Sequence, residues 1–234
     1  LPGDPRRYRD WILRLRGTGH ADDMNLRESI AQSCDVYFYD LAHRLGIDAL
    51  AESLDEFGIG SLTGVDLPSE KRGILPSSEW KKRVIGSNWY GGETLIVGIG
   101  QGYMLATPLQ LAVATSALAT RGTAYKPKLV ASVAGAALPL EPLLDVTAPA
   151  DYWNEVVAGM VDTVFSPRGT AAGMRTGITY SVAGKTGTAQ VVGIAQDATY
   201  DEDLLSEYQR EHGWFVGFAP AENPEIVLAV LTEN

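Results

Sequence analysis

The stretch Val182–Gly193, VAGKTGTAQVVG, places one lysine among small residues and then runs into a β-branched segment. Four roles are open to Lys185: a phosphate ligand, a proton-network residue, an anchor for a substrate carboxylate, or a side chain snorkelling to water at a strand start. A phosphate loop needs Gly, four residues, then Gly-Lys-Ser/Thr, with a helix following. Gly184-Lys185-Thr186 supplies the end of that pattern, but the opening position is Thr179, and Gly177 lies two places off. The next residues, Thr188-Ala189-Gln190-Val191-Val192, read as strand rather than helix. The nucleotide role is therefore rejected, and what remains is a lysine on a strand.

That strand, Ser181–Val192, sets the fold class. Downstream, Gly213–Ala219 and Ile226–Leu231 read as two further strands joined by the turn Pro220–Pro224, with the polar excursion IAQDATYDEDLLSEYQREH between the first strand and this pair. Upstream the pattern is helical. Asn25 caps a helix predicted to run to Leu45, with Leu26, Ile30, Tyr37, Leu41 and Leu45 at helical spacing and Gly46 closing it. A second helix is predicted from Asp48 to Phe57, capped by Asp48 and closed by Gly58. GIGSLTGVDLPSEKRGILPSSEW is loop and turn. Thr94–Val97 suggests a short strand, the glycines 98, 100 and 102 a permissive turn, and Thr107-Pro108 the start of a buried apolar helix to Thr120, closed by Gly122. Tyr125–Val133 reads as strand, AGAALPLEPLLDVTAPA as loop with a hairpin option, and Ala150–Phe165 as a helix with Trp153, Val156, Val157, Met160 and Val164 on one face. The expectation is α+β: helices early, and an antiparallel sheet late that they flank, in one domain spanning residues 1–234.

The chain has 234 residues, 45% of them hydrophobic, enough for a substantial core. Nineteen Lys and Arg against 29 Asp and Glu leave a formal charge of -10, which argues against nucleic acid or an anionic membrane surface as partner. The arginines at 6, 7, 9, 14 and 16 are a local exception, interleaved with Asp4 and Asp10 as on a solvated segment. A single cysteine, Cys34, gives no internal disulfide framework and leaves the redox compartment unreadable. No apolar run reaches transmembrane length and no signal peptide is visible. The chain opens on LPGDPRRYRDW without a methionine and stops at AVLTEN after a strand-like run, so a fragment truncated at both ends is expected.

A second polar motif sits in QSCDVYFYD, where Ser33 and Asp35 interrupt an apolar helix face. An ordinary amphipathic helix showing its wet side would look the same. A helix Ser-x-Asp followed far downstream by Lys-Thr-Gly on a strand has mechanical sense, however. The helix hydroxyl relays protons, the strand lysine supplies positive charge, and the strand's hydroxyls and backbone hold an extended peptide ending in a carboxylate.

With LPG…RRYRDW, SIAQSCDVYFYDLAHRLGID, FGIGSLTGVDLPSE, VGIGQGYMLATPLQLAVA, AGKTGTAQV and WFVGFAP in this order and spacing, the chain resembles the transpeptidase domain of class B penicillin-binding proteins, of the elongation type in Gram-negative bacteria. The resemblance covers essentially the whole chain. It implies the penicillin-binding and serine β-lactamase type of fold. The implied enzyme is a serine D,D-transpeptidase that cross-links peptidoglycan stem peptides ending in D-Ala-D-Ala and is acylated by β-lactams. Its parent would sit in the bacterial inner membrane with this domain in the periplasm, beside a glycosyltransferase and the membrane proteins of the elongation complex. No cofactor is implied for catalysis.

By the same resemblance Ser33 and Asp35 take the family's middle motif, with Asp where Asn is frequent. Lys185, Thr186, Gly187 and Thr188 take the strand motif. Lys185 would serve the proton network and attract the carboxylate, and the Thr186 and Thr188 hydroxyls would bind it. The Thr188 N–H would be an oxyanion donor, and Gly187 would let the substrate backbone lie close. The family's nucleophilic Ser-x-x-Lys lies upstream of the middle motif, and nothing before Ser33 fits it. The one Ser-x-x-Lys, Ser78-Glu79-Trp80-Lys81, is downstream in a loop stretch, so the chain alone is expected not to react with penicillin. A carboxypeptidase or β-lactamase on the same fold, or a non-catalytic module binding peptidoglycan or partner proteins, are the alternatives.

Asp10, His20 and Cys34 are each competent zinc ligands, though three such residues near one helix are more often unrelated. Similar elongation-type proteins carry a structural zinc in this region. The resemblance matches Asp10 and Cys34 to its ligands, His20 more loosely, and would put a fourth ligand before Leu1.

Overall fold

The computed structural model describes residues 10–12, 17–189 and 211–233. Helices α1 (Leu26–Gln32), α2 (Asp35–Leu45), α3 (Ile47–Glu56), α4 (Ser78–Val84), α5 (Gly91–Gly98), α6 (Pro108–Thr120) and α7 (Ala150–Phe165) accompany strands β1 (Thr123–Tyr125), β2 (Ser132–Val133), β3 (Ala136–Ala137), β4 (Pro142–Asp145), β5 (Ala183–Ala189), β6 (His212–Ala219) and β7 (Ile226–Thr232). Among the described residues the main sheet is antiparallel in the order β5-β6-β7, with Lys185 opposite Val216 and Thr186 opposite Phe215. The late hairpin is the one expected from the sequence; its turn carries a cis Ala219–Pro220 bond. No helix among the described residues is long and apolar enough to cross a membrane.

The core joins two layers. Ile30 of α1, Val157 and Met160 of α7, Ala119 of α6, and Ala183 and Phe218 of the sheet form one cluster. Each large side chain buried there contributes about 1.5–3 kcal/mol. Helix α7 packs against both α1 and β5. It approaches α1 so closely at Gly159 that a Cβ there would stand 2.9 Å from the Ile30 Cβ. A bidentate pair from Arg27 to Asp162 fastens the same contact from outside. The end of α1 and the face of β5 are thereby registered against one helix, and the site lies between them.

Five expectations need correction. The stretch expected to be loop as far as Trp80 turns helical at Ser78, where α4 begins under the cap of Ser77, so the Ser-x-x-Lys at 78–81 lies on a helix. The helix predicted over 25–45 is two helices. The Asn25 cap holds, in a reciprocal capping box with Glu28, but α1 ends at Ser33, which adopts the left-handed conformation with φ 54° and ψ 55°. The Cys34 N–H closes the end on the Ser29 carbonyl at 3.0 Å, and the Trp11 indole donates to the Ser33 carbonyl at 2.8 Å. Such ends favour Gly or Asn, so a serine there gives no local signal.

Thr94–Val97 is helical, not a strand. Glu93, third in α5, accepts the Tyr90 N–H at 2.8 Å and caps the start, and a short apolar run does not by itself choose between helix and strand. Tyr125–Val133 keeps only its two ends as strand. Pro127 removes a ladder donor, and the Leu129 and Val130 N–H groups bond the Asp66 carboxylate instead, at 2.6 and 3.1 Å. Asp48 does not cap its own helix, whose N-cap is Gly46; it accepts instead from the Ser78 backbone and hydroxyl. The hairpin option over 132–145 is realised as β2–β3, while β4 returns to pair β1. The polar excursion, apart from its last two residues, and Gln190–Gly193 lie outside the described residues.

Candidate functional site

The break at Ser33 turns its hydroxyl toward the sheet. The Lys185 ammonium donates to the Ser33 Oγ at 2.8 Å and to the Thr186 carbonyl at 2.7 Å. Two residues 152 positions apart therefore meet across the space between a helix end and a strand. A non-glycine residue held left-handed costs of order 1 kcal/mol, here met by the bonds that fix its backbone. Burial pulls the Lys185 pKa down to about 8, with the Asp35 carboxylate opposing. The Asp35 carboxyl, first residue of α2, is pushed up to about 6 by burial and by Asp10, against the pull of Lys185 and His20. A lysine near 8 exchanges its proton far more readily near neutral pH than one at 10.5.

Thr186 follows on the strand, and its Oγ1 lies 2.6 Å from the Thr170 Oγ1. Thr170 is a residue that no motif in the sequence reading singled out. Its N–H donates to the carbonyl of Ala31, two residues before Ser33, at 3.1 Å. One residue thus bonds both walls of the groove. The turn carrying it is wedged against the end of α7: a Cβ on Gly169 would come within 2.3 Å of the Asp162 and Thr163 carbonyl oxygens, so only glycine fits. Gly187 and Thr188 are exposed on β5, whose outer edge has no strand partner among the described residues. An extended peptide can add to such an edge. The Thr188 carbonyl accepts from the Gln101 side-chain amide, a second contact that the sequence reading did not find, although it had placed the GIGQG turn.

The Ser-x-x-Lys at 78–81 is not built as a nucleophile and base. Lys81 is 2% exposed and donates to both Glu93 carboxylate oxygens, at 2.5 and 2.7 Å, with its ammonium 4.5 Å from the centre of the Tyr90 ring. The Ser78 hydroxyl turns away to Asp48, at 2.7 and 2.8 Å from its two oxygens.

Behind Ser33, the ligand atoms of Asp10, His20 and Cys34 lie within 4.8 Å of one another. Asp10 is buried and its Oδ2 is 3.0 Å from the His20 Nδ1; the His20 Nε2 is buried without a partner among the described residues. Burial raises the Cys34 thiol to about 11. Tetrahedral zinc, with bonds of about 2.0–2.3 Å, spaces its ligands by roughly 3.3–3.8 Å, so these atoms, within 4.8 Å of one another, would draw in somewhat around an ion. One carboxylate, one imidazole and one thiol drawn together beside an unpartnered ring nitrogen fit a zinc ion in chemistry.

The penicillin binding protein transpeptidase domain model matches residues 3–234. The chain belongs to that family. It is 46% identical over 243 residues to the peptidoglycan D,D-transpeptidase MrdA of Acinetobacter baumannii, and 38% identical over 241 residues to the MrdA of Escherichia coli strain K12, in each case over 100% of this chain. It spans 34% and 37% of those proteins, about a third of their length. Among solved structures it resembles Pseudomonas aeruginosa PBP2 in complex with WCK 5153 (TM-score 0.80, 39% identity, covering 100% of this chain and 49% of that one). It also resembles Helicobacter pylori PBP2 in its complex with MreC (TM-score 0.81, 34% identity, 98% and 39%). The fold is the penicillin-binding transpeptidase fold, helices on an antiparallel sheet, as the sequence led us to expect.

Proposed function

We propose that this chain is the substrate-gripping part of an elongation-type peptidoglycan D,D-transpeptidase. Its parent forms a serine acyl-enzyme from a stem peptide ending in D-Ala-D-Ala, passes the acyl group to an amine on a second stem peptide, and is acylated by β-lactams. The observation that carries the reading is the 2.8 Å bond between Lys185 and Ser33, which joins the two family motifs across one groove. In this reading the Ser33 hydroxyl, bonded to Lys185, relays the proton between the reacting amine and the catalytic serine. Lys185 gives and takes that proton with its lowered pKa. Thr186, held by Thr170, and Thr188 bind the terminal carboxylate, and the Thr188 N–H steadies the oxyanion, a donor whose loss costs about 10²–10³ in rate. Asp35 tunes the charge around Lys185, and Gly187 leaves room for the substrate backbone.

The acylated serine belongs to a segment of the parent outside this chain. The chain alone is therefore not labelled by fluorescent penicillin, whereas the full-length parent is labelled stoichiometrically. Labelling of the chain alone that disappears on Ser78→Ala would overturn this assignment. The H. pylori complex with MreC supports a partner from the elongation machinery. The likeness to a peptidoglycan synthase complex that coordinates polymerization and crosslinking (TM-score 0.74, 33% identity, covering 90% of this chain and 34% of that one) supports a glycosyltransferase partner. The parent works in the cell envelope, anchored in the inner membrane with this domain in the periplasm.

Asp10, His20 and Cys34 hold a structural zinc in the same reading, the fourth ligand coming from elsewhere in the parent. The ion ties the N-terminal loop to the start of α2, next to Ser33, and takes no part in bond making. Elemental analysis of the full-length protein is expected to find about one zinc per chain, lost together with several degrees of thermal stability on Cys34→Ala. Zinc-free protein with unchanged melting would refute it.

A further inference from the structure

A cavity of about 220 Å³ opens between the end of α3, the first half of α6 and strand β4, and shares no residue with the groove or with the Asp10 cluster. Its walls are apolar: Leu62, Val113, Leu143 and Leu144. Val113 and Leu144 belong to a packed cluster with Ala117 and Ala124, which fixes the back of the cavity, while Leu62 and Leu143 are 46% and 36% exposed. The two buried polar side chains that border it are already satisfied. The Gln110 amide donates to the Ser61 and Arg72 carbonyls at 2.6 and 2.8 Å and accepts the Thr107 N–H at 2.9 Å, and the Thr63 hydroxyl donates to Glu70 at 2.6 Å. A polar ligand would find no buried partner left for it, whereas an aliphatic side chain gains by leaving water. Asp55 borders the same cavity at the C-terminal end of α3. The negative end of a helix favours cations, yet this last turn carries Asp55 and Glu56 and no basic residue. Glu52, Asp55 and Glu56 are exposed and have no cation partner among the described residues. Lys126 lies against Gly64, next to Thr63, but it and Lys128 are both paired with Glu141, at 3.6 and 2.6 Å.

We propose that this cavity docks a separate protein, through a segment that presents a leucine-sized side chain beside lysine or arginine. The aliphatic group fills the space between Leu62 and Leu143, and the cation meets Asp55 and the negative end of α3. Carboxylates left uncompensated at that end weaken the helix, and a basic partner turns the same charges into attraction. Exposed ion pairs add little to a contact within one chain. Between separate molecules, complementary charge steers the encounter and selects the partner, which favours an occupant in trans over another part of the parent protein. The overall charge of -10 draws a basic partner in the same direction. The inference stands apart from the transpeptidase reading, since no residue of the groove takes part in it.

The test is fluorescence anisotropy with the full-length protein and three fluorescein-labelled probe peptides, repeats of Lys-Leu-Leu-Lys, Lys-Ser-Ser-Lys and Glu-Leu-Leu-Glu. The wild type is expected to bind the Lys-Leu probe about tenfold or more tighter than the Lys-Ser probe, the effect of burying one leucine side chain, and tighter than the Glu-Leu probe. Leu143→Ser is expected to remove most of the advantage of leucine over serine. Asp55→Lys is expected to weaken the Lys-Leu probe by about fivefold and to strengthen the Glu-Leu probe. Thermal melting checks that each variant is folded. Equal binding of the Lys-Leu and Lys-Ser probes would show charge attraction alone and overturn the proposal, as would unchanged binding in either folded variant. No binding of the Lys-Leu probe overturns it as well; a Leu143→Cys variant that stays unreactive toward a maleimide would then show that the parent itself covers the cavity. Failure of penicillin labelling would sink the transpeptidase reading and leave the binding result standing.

Discussion

Lys81 and Lys185 are both drawn away from water, and they are kept in opposite company. Lys81 bonds both oxygens of Glu93 and sits over the Tyr90 ring, with Trp89 and Tyr103 each 5.8 Å from its ammonium. Among the described residues Lys185 bonds a neutral hydroxyl and a carbonyl, and the carboxylate that counteracts its burial, Asp35, acts without a direct hydrogen bond to it. The first arrangement fixes a cation as part of the scaffold. The second leaves a cation poorly compensated, so its proton is loosely held. The serine beside each follows suit, Ser78 engaged with Asp48 and Ser33 engaged with the lysine itself. Three-residue spacing along a helix brought Ser78 and Lys81 no closer in function, while a separation of 152 residues brought Ser33 and Lys185 into contact.

Breaking one partner of the Lys81–Glu93 pair tests the scaffold side of this contrast most severely. Lys81→Met leaves Glu93 uncompensated and is expected to destabilise the full-length protein by about 3–5 kcal/mol, read by chemical denaturation. Penicillin labelling of the fraction that remains folded is expected to persist. Loss of labelling from stably folded Lys81→Met protein would instead place Lys81 in the reaction.

The start of α1, helices α3, α6 and α7, the late hairpin and the strand bearing Lys185 were legible because they rest on local rules. Asn25 with Glu28, Thr107 with Pro108, and the apolar runs either side of the turn Pro220–Pro224 each declare an element within a few residues. The groove was legible only through the family resemblance, because the bond from Lys185 to Ser33 depends on packing through α7 that no short window contains. Three features stayed hidden for physical reasons. A left-handed serine looks like any helical serine, Thr170 contacts its partners through a turn with no motif of its own, and the apolar run at 94–97 suits either backbone. The ligand cluster of Asp10, His20 and Cys34 was visible as a set of residue types, but its closeness was not.

A milder test concerns protons. The folded pKa of Lys185, about 8, lies below the ordinary 10.5. Between these values the unfolded chain binds more protons than the folded one, so stability rises with pH. The stability of the full-length wild type relative to Lys185→Met is expected to climb from pH 8 toward 10.5, with a slope of at most about 1.4 kcal/mol per pH unit. Parallel curves over that range would mean that burial does not loosen this proton. The smallest effect is expected at Thr170. Removing its hydroxyl in Thr170→Val should raise KM for a peptide donor by about tenfold with little change in kcat, and Thr170→Ser should restore it. An equal loss in both variants would reduce Thr170 to a packing role.

The central claim is that Ser33 and Lys185 act as one unit across the groove, and a double-mutant cycle on penicillin acylation of the full-length protein addresses it directly. Ser33→Ala and Lys185→Ala are each expected to slow acylation by about 10²–10³, and the double variant to be no slower than the worse of the two. Losses that multiply in the double variant would show two independent residues and contradict the account.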